Sequence, residues 1–242
     1  MYSPLESFEI LVYCPLDLLK LVDITITNIV IYFLLVSLTV RVIYEFIERG
    51  KRVIPSYVQW SVEQLLGFIY TLIKDQTEGE GVKYLPLFST LFIFILLGNL
   101  IGLVPFSFTV TSHFALTFGL ALSLNLGILW IGIMKNGIGF AKLFIPSGAP
   151  VFLLPLIVII EIVSYLIRTF SLSIRLFANM MAGHTLLHIL ATFAIRLGGA
   201  WFIPFILIIG VLGLELGIVF IQAYVFTILA AIYLNDSFHP GH

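Results

Sequence analysis

The sequence predicts an all-α membrane protein: about five membrane-embedded helices and one amphipathic interfacial helix. The last two embedded segments should form a long, strongly tilted antiparallel hairpin. Three observations predict this. Sixty per cent of the 242 residues are hydrophobic and only 10% are charged, whereas a soluble domain carries roughly 25% charge. The mean hydropathy is +1.14. The apolar residues also fall into separate runs long enough to cross a bilayer. So little charge cannot cover a water-facing surface, and lipid must face part of the chain.

Composition also excludes classes of function. The net charge is −1 and there is no basic tract, so nothing points to nucleic acid. Cys14 is the single cysteine, which rules out an internal disulfide and a cysteine-rich metal site. Residues 1–23 hold Glu6, Glu9, Asp17 and Asp23 against Lys20. They fit neither an Arg-rich presequence nor a secretory signal, and are expected to be an outer-side N-terminal segment of a single membrane domain.

The first span is expected at 24–44, followed by a charged stretch from Arg41 to Arg52 that Pro55 closes. Residues 56–76 repeat Val58, Val62, Leu65, Leu66, Ile69, Leu72 and Ile73 at helical spacing, with Gln59, Glu63, Gln64, Lys74 and Asp75 between them. That pattern fits a helix lying in the membrane interface. It also fits a linker helix folded onto the protein. No Asp, Glu, Lys or Arg occurs between Lys83 and Lys135, which leaves room for a helical hairpin over 85–134, turning at residues 105–113. There His113 reads as a plain polar turn residue. A loop with Lys142, Pro146, Gly148 and Pro150 follows.

The final hairpin spans 151–234 and turns at Gly198-Gly199. Its arms would be roughly 65 and 50 Å long at 1.5 Å per residue. A hydrocarbon core of about 30 Å obliges both to tilt or bend. The basic residues concentrate in the loop after span one and in the loop that carries Lys135 and Lys142, so those loops should be inside, with the N-terminus and the 197–200 turn outside. Arg196 runs against that rule.

Few polar groups interrupt the hairpin. An arginine at the bilayer centre costs about 3 kcal/mol on insertion scales. Glu161, Arg168 and Arg175 are seven apart and share a helix face, with Ser164 and Ser171 beside it. His184 and His188 share a roughly opposite face, and Glu215 and Gln222 share one on the second arm. Folding at Gly198-Gly199 puts Arg175 level with Gln222 and His184 level with Glu215. An imidazole beside a carboxylate can hold a proton near neutral pH. Ionisable groups on both sides of a fixed positive charge suit two proton half-paths with a barrier between them. Blander readings stand beside this one. Glu161 and Arg168 also read as a capping or interfacial ion pair, and Arg168 as a snorkelling side chain. His188 also reads as a packed core residue. His184 and His188 with Glu215 leave a divalent-metal site open. For Arg175 the structural reading is weakest, because no acid lies within a turn of it.

The run Ser171-Leu-Ser-Ile-Arg-Leu-Phe-Ala-Asn-Met-Met-Ala-Gly-His184 resembles the signature of the a subunit (subunit 6) of F-type ATP synthase. Glu215 and Gln222-Ala-Tyr-Val-Phe-Thr-Ile-Leu229 are similar to its last helix. Leu97-Gly-Asn-Leu-Ile-Gly-Leu-Val-Pro105 and Ser107-Phe-Thr-Val-Thr-Ser-His113 are similar to its earlier hairpin. Ser3-Pro-Leu-Glu-Ser-Phe-Glu9 resembles mitochondrial forms. The resemblance covers nearly the whole chain and departs at Ala178, often glycine in the family. It implies a non-catalytic stator subunit beside a ring of c subunits, with the peripheral stalk and other membrane-sector subunits as partners, cardiolipin as a plausible lipid and no cofactor. Arg175 would be the essential arginine that faces the ring carboxylates. Asn179, His184, His188, Glu215 and Gln222 would line the outer proton path, and Glu161 and Ser171 the inner one. Many bacterial members carry Glu and His in the reverse order at positions 184 and 215; the order here is that of mitochondrial and related bacterial forms. The implied location is the mitochondrial inner membrane, N-terminus toward the intermembrane space, or alternatively a bacterial plasma membrane. Two further functions remain open: a self-contained proton or ion transporter gated by a buried arginine, and a purely structural anchor.

Overall fold

The computed structural model describes residues 12–16, 24–49, 56–104, 109–137, 139–140, 153–196 and 202–239. Six α-helices dominate: α1 Asn28–Arg49, α2 Tyr57–Gln76, α3 Leu85–Gly102, α4 Phe114–Asn136, α5 Leu154–Arg196 and α6 Phe202–Phe238. All but α2 are long and apolar enough to cross a membrane. The turns at 105–108, 141–152 and 197–200, including Gly198-Gly199, lie outside the described residues.

The chain forms two compact units. The first comprises Met1–Lys51, Ile93–Phe114 and Leu176–Ala223; the second comprises Arg52–Phe92, Ala115–Arg175 and Tyr224–His242. Helices α3, α5 and α6 each contribute a segment to both.

In the first unit the sequence expectation needs one correction. Helix α1 starts at Asn28, not at Ile24, and runs on to Arg49. Residues Ile24–Thr27 are instead a strand, β2, paired antiparallel with β1, Val12–Leu16, with Leu16 opposite Ile24 and Val12 opposite Thr27. The physical reason is local. Ile-Thr-Ile-Thr is wholly β-branched, which stiffens χ1 and favours extended backbone. Hydropathy alone cannot tell such a run from the start of a helix. Along α1, Val36 and Val40 are buried while Leu34, Leu38 and Val42 are exposed. A wide apolar face left uncovered by protein suits a lipid surround.

In the second unit α2 buries Ile69, Leu72 and Ile73 and exposes Tyr57 and Trp60. Phe68 sets its ring against Phe92 and Tyr224 at 6.3 and 6.0 Å. So α2 packs along one edge, as a linker helix would, and keeps the exposed aromatics of an interfacial helix. Thr77 ends it: its hydroxyl donates to the Ile73 carbonyl at 2.7 Å and accepts from the Gly81 amide at 3.0 Å. Gly79 then takes φ +90°, which only glycine adopts without strain, and leads into a 3-10 turn, Glu80–Tyr84.

Polar contacts fasten α4 to α5 in this unit. The Tyr165 hydroxyl donates to Asn125 Oδ1, and Asn125 Nδ2 donates to the Thr169 hydroxyl. The Thr117 and Ser173 hydroxyls lie 3.3 Å apart. Asn125, Thr169, Thr117 and Ser173 are all buried, where a lost partner is costly because no water replaces it. Asn125→Leu removes both amide hydrogen bonds. It is expected to destabilise the helix pair by about 1–3 kcal/mol, seen as a lower thermal midpoint in detergent with unchanged helix content.

Candidate functional site

Two cavities, each within one unit, gather several of the candidate residues. In the first unit α5 and α6 enclose a cavity of ≈180 Å³ whose wall includes Asn179, Gly183, His184 and Glu215, closed by apolar neighbours such as Leu103, Met180 and Leu214. Glu215 is 7% exposed, and neither of its carboxylate oxygens has a hydrogen-bond partner among the described residues. His184 is half-buried and hydrogen-bonded to the Gly102 backbone at the end of α3. The two residues therefore share one chamber, without a direct bond to the carboxylate. The chamber exceeds the roughly 30 Å³ that one water occupies in the liquid, so it has room for water between them.

Gly183 leaves room for the carboxylate. A Cβ at this position would stand 2.8 Å from Glu215 Cδ, so any other residue there would push the Glu215 side chain aside. The sequence signal was present: glycine inside a helix costs about 1 kcal/mol, which implies a packing reason. His188 and Gln222 do not line this cavity. Gln222 is 5% exposed, with its Nε2 buried and unpartnered among the described residues. Among the described residues no group of three or more His, Cys, Asp or Glu could hold a metal.

In the second unit a groove of ≈500 Å³ is lined by Ser164, Arg168, Ser171, Arg175, Tyr233 and Asp236, among others. Arg175 is the middle residue of α5 and is exposed. It has no ion-pair partner among the described residues. Arg168 Nη1 lies 3.9 Å from Asp236 Oδ2, and its guanidinium sits 5.7 Å from the Tyr233 ring centre. The Glu161–Arg168 ion pair is not formed: seven residues separate the two by about 10 Å along the axis, and α6 supplies the nearer acid. Glu161 is half-buried and does not line the groove, although its charge acts on Asp236. Sequence reading missed Asp236, because the apolar run was ended at residue 234. Extending the seven-residue spacing from Glu215 and Gln222 by two steps reaches it. His113 sits just after the 3-10 turn Val110–Ser112, and burial holds its imidazole below its usual range.

Comparisons with known proteins agree along the chain. The family model described as ATP synthase A chain matches residues 26–235. The ATP synthase subunit a of Pelagibacter ubique is 42% identical over 242 residues, covering 99% of both chains. That of Xanthobacter autotrophicus is 40% identical over 249 residues, again covering 99% of both. That of Maricaulis maris is 38% identical over 255 residues, covering 99% of this chain and 98% of the relative. With a family match across most of its length and relatives at this level, the chain belongs to the family of ATP synthase A chains, the non-catalytic, proton-translocating membrane subunit of the F-type enzyme.

Proposed function

We propose that the chain supplies two offset proton half-paths that meet a rotating c-ring at different angles, with Arg175 blocking a direct leak; the cavity with His184 and Glu215 belongs to the outer path and the groove with Ser171 to the inner one. Protons enter from the outer side through Asn179, His184 and Glu215, with His188 and Gln222 as further outer-path residues. They leave toward the inner side past Ser171 and Glu161, joined here by Asp236. Each proton that crosses 100 mV releases about 2.3 kcal/mol, and the offset between the paths turns that release into rotation.

One observation carries this reading. An arginine at the middle of a long apolar helix is exposed and has no acidic partner among the described residues. A permanent charge in that position needs its counter-charge from outside the chain. Successive ring carboxylates supply it, each losing its proton as it meets the guanidinium. The peripheral stalk and other membrane-sector subunits hold the chain against the ring's drag, with cardiolipin as a lipid partner. The outer side is that of the N-terminus and the inner side that of the basic loops. A bacterial plasma membrane is the location best supported, because the relatives described above are bacterial. The mitochondrial inner membrane rests only on the opening residues and the order of Glu and His.

The test is proximity. Ser171 is exposed one turn before Arg175. In the assembled enzyme, Ser171→Cys is expected to form a disulfide with a cysteine placed one turn from the ring carboxylate, in high yield under mild oxidation. Assembled enzyme that gives no such cross-link would overturn the reading.

A further inference from the structure

The end of α6 is gripped by two α4 side chains that line neither cavity. The last four carbonyls of a helix lack intrahelical donors. Here Asn136 Nδ2 donates to the Ser237 carbonyl at 2.7 Å and lies 3.4 Å from the Phe238 carbonyl. The neighbouring Lys135 ammonium sits 4.1 Å from the centre of the Phe238 ring and pairs with Glu80. Tyr84 places its ring 6.1 Å from the opposite partner of that contact, Phe238 again. Gly132 lets α6 settle this close, since a Cβ there would stand 2.9 Å from Ser237 Cβ.

The grip falls one residue from Asp236. That carboxylate faces Arg168 at 3.9 Å, well beyond the 2.7–2.9 Å of a tight charge-assisted bond. A pair so loose, with both side chains nearly half exposed, holds itself weakly. Its geometry depends on where the backbone puts Asp236. We propose that Asn136 and Lys135 are positioning residues for proton release: they fix the last turn of α6 so that Asp236 stays beside Arg168 in the groove that holds Arg175. The proposal rests on reading that groove as the inner half-path.

The experiment uses the assembled enzyme in vesicles. Asn136→Leu, Lys135→Met and Asp236→Asn are made singly, and the first two also in the Asp236→Asn background. Subunit content is measured first, then proton-driven ATP synthesis against inner and outer pH separately. Asn136→Leu is expected to assemble normally and slow synthesis about fivefold, the factor that one hydrogen bond of typical net worth represents. Lys135→Met gives a smaller loss. Both should move the profile against inner pH, leave that against outer pH alone, and add nothing in the Asp236→Asn background. Additive losses, or unmoved inner-pH profiles, overturn the proposal. If Asn136→Leu fails to assemble, Lys135→Met decides by the same two criteria, because its side chain is exposed and methionine keeps most of its length. Normal synthesis by Asp236→Asn alone would instead sink the inner-path reading. Impairment by Asp236→Asn together with wild-type behaviour of both α4 variants sinks only the positioning.

Discussion

Arg175→Ala is expected to abolish both proton-driven ATP synthesis and ATP-driven proton pumping, a loss of at least about a hundredfold, while the complex still assembles. The size follows from the position. Arg175 is exposed at the middle of α5 with no ion-pair partner among the described residues, so its truncation leaves no buried partner uncompensated inside the chain. Stability should change little for that reason. The charge acts on the ring, and a shift of one pKa unit in a ring carboxylate is already about 1.4 kcal/mol. Bringing a permanent cation within a few Å shifts a carboxyl by about one to three units. Without it the carboxyl keeps its proton across the barrier, and the ring can slip without delivering protons. Arg175→Lys keeps the charge but loses the planar fork and its fixed ionisation, and is expected to recover only a small part of the rate. Purified complexes in vesicles, assayed for synthesis, pumping and passive proton leak, decide the matter. Near-normal synthesis in Arg175→Ala would leave only a structural role.

Glu215→Gln is expected to slow proton-driven synthesis by about two orders of magnitude. The carboxylate is buried, its oxygens have no partners among the described residues, and it faces the chamber that holds His184. Glutamine keeps the volume and the polarity but cannot exchange a proton, so helix packing should survive and transfer should not. The distinguishing measurement is the outer-pH dependence. A variant with lost transfer has a low rate at every outer pH, whereas a variant with damaged packing also shows reduced subunit content. A rate within a factor of two of the wild type would remove Glu215 from the outer path.

Much of this arrangement could be read from the sequence because bilayers restrict what is possible. A run without charge between Lys83 and Lys135 admits little besides two spans, and α3 and α4 occupy it. The meeting of His184 with Glu215 followed from counting residues either side of a glycine pair, since a helix advances a fixed distance per residue. What the sequence hid was of three kinds. The strand Ile24–Thr27 reads as apolar whether extended or helical. Asp236 lies past the point where hydropathy falls, although α6 continues to Phe238. The α4 contacts Asn125 to Tyr165 and Thr169 join residues forty or more positions apart, and periodicity within one helix carries no information about its neighbour's rotation.

The hydroxyl of Ser173 and the amide of Asn125 also have a mechanical meaning. If Arg175 faces the ring as proposed above, a ring dragged past it pushes on α5 at that residue, and the push must be returned by something. Ser173 meets Thr117 two residues away, and Thr169 meets Asn125 less than two turns away. The load therefore passes sideways into α4 almost where it is applied, instead of travelling to the ends of a 43-residue helix. One such contact, at about 1 kcal/mol net, is weaker than the work of about 2.3 kcal/mol that a single proton delivers per 100 mV. Several acting together exceed it. Loosening this brace should leave proton binding untouched while the motor loses thrust under load.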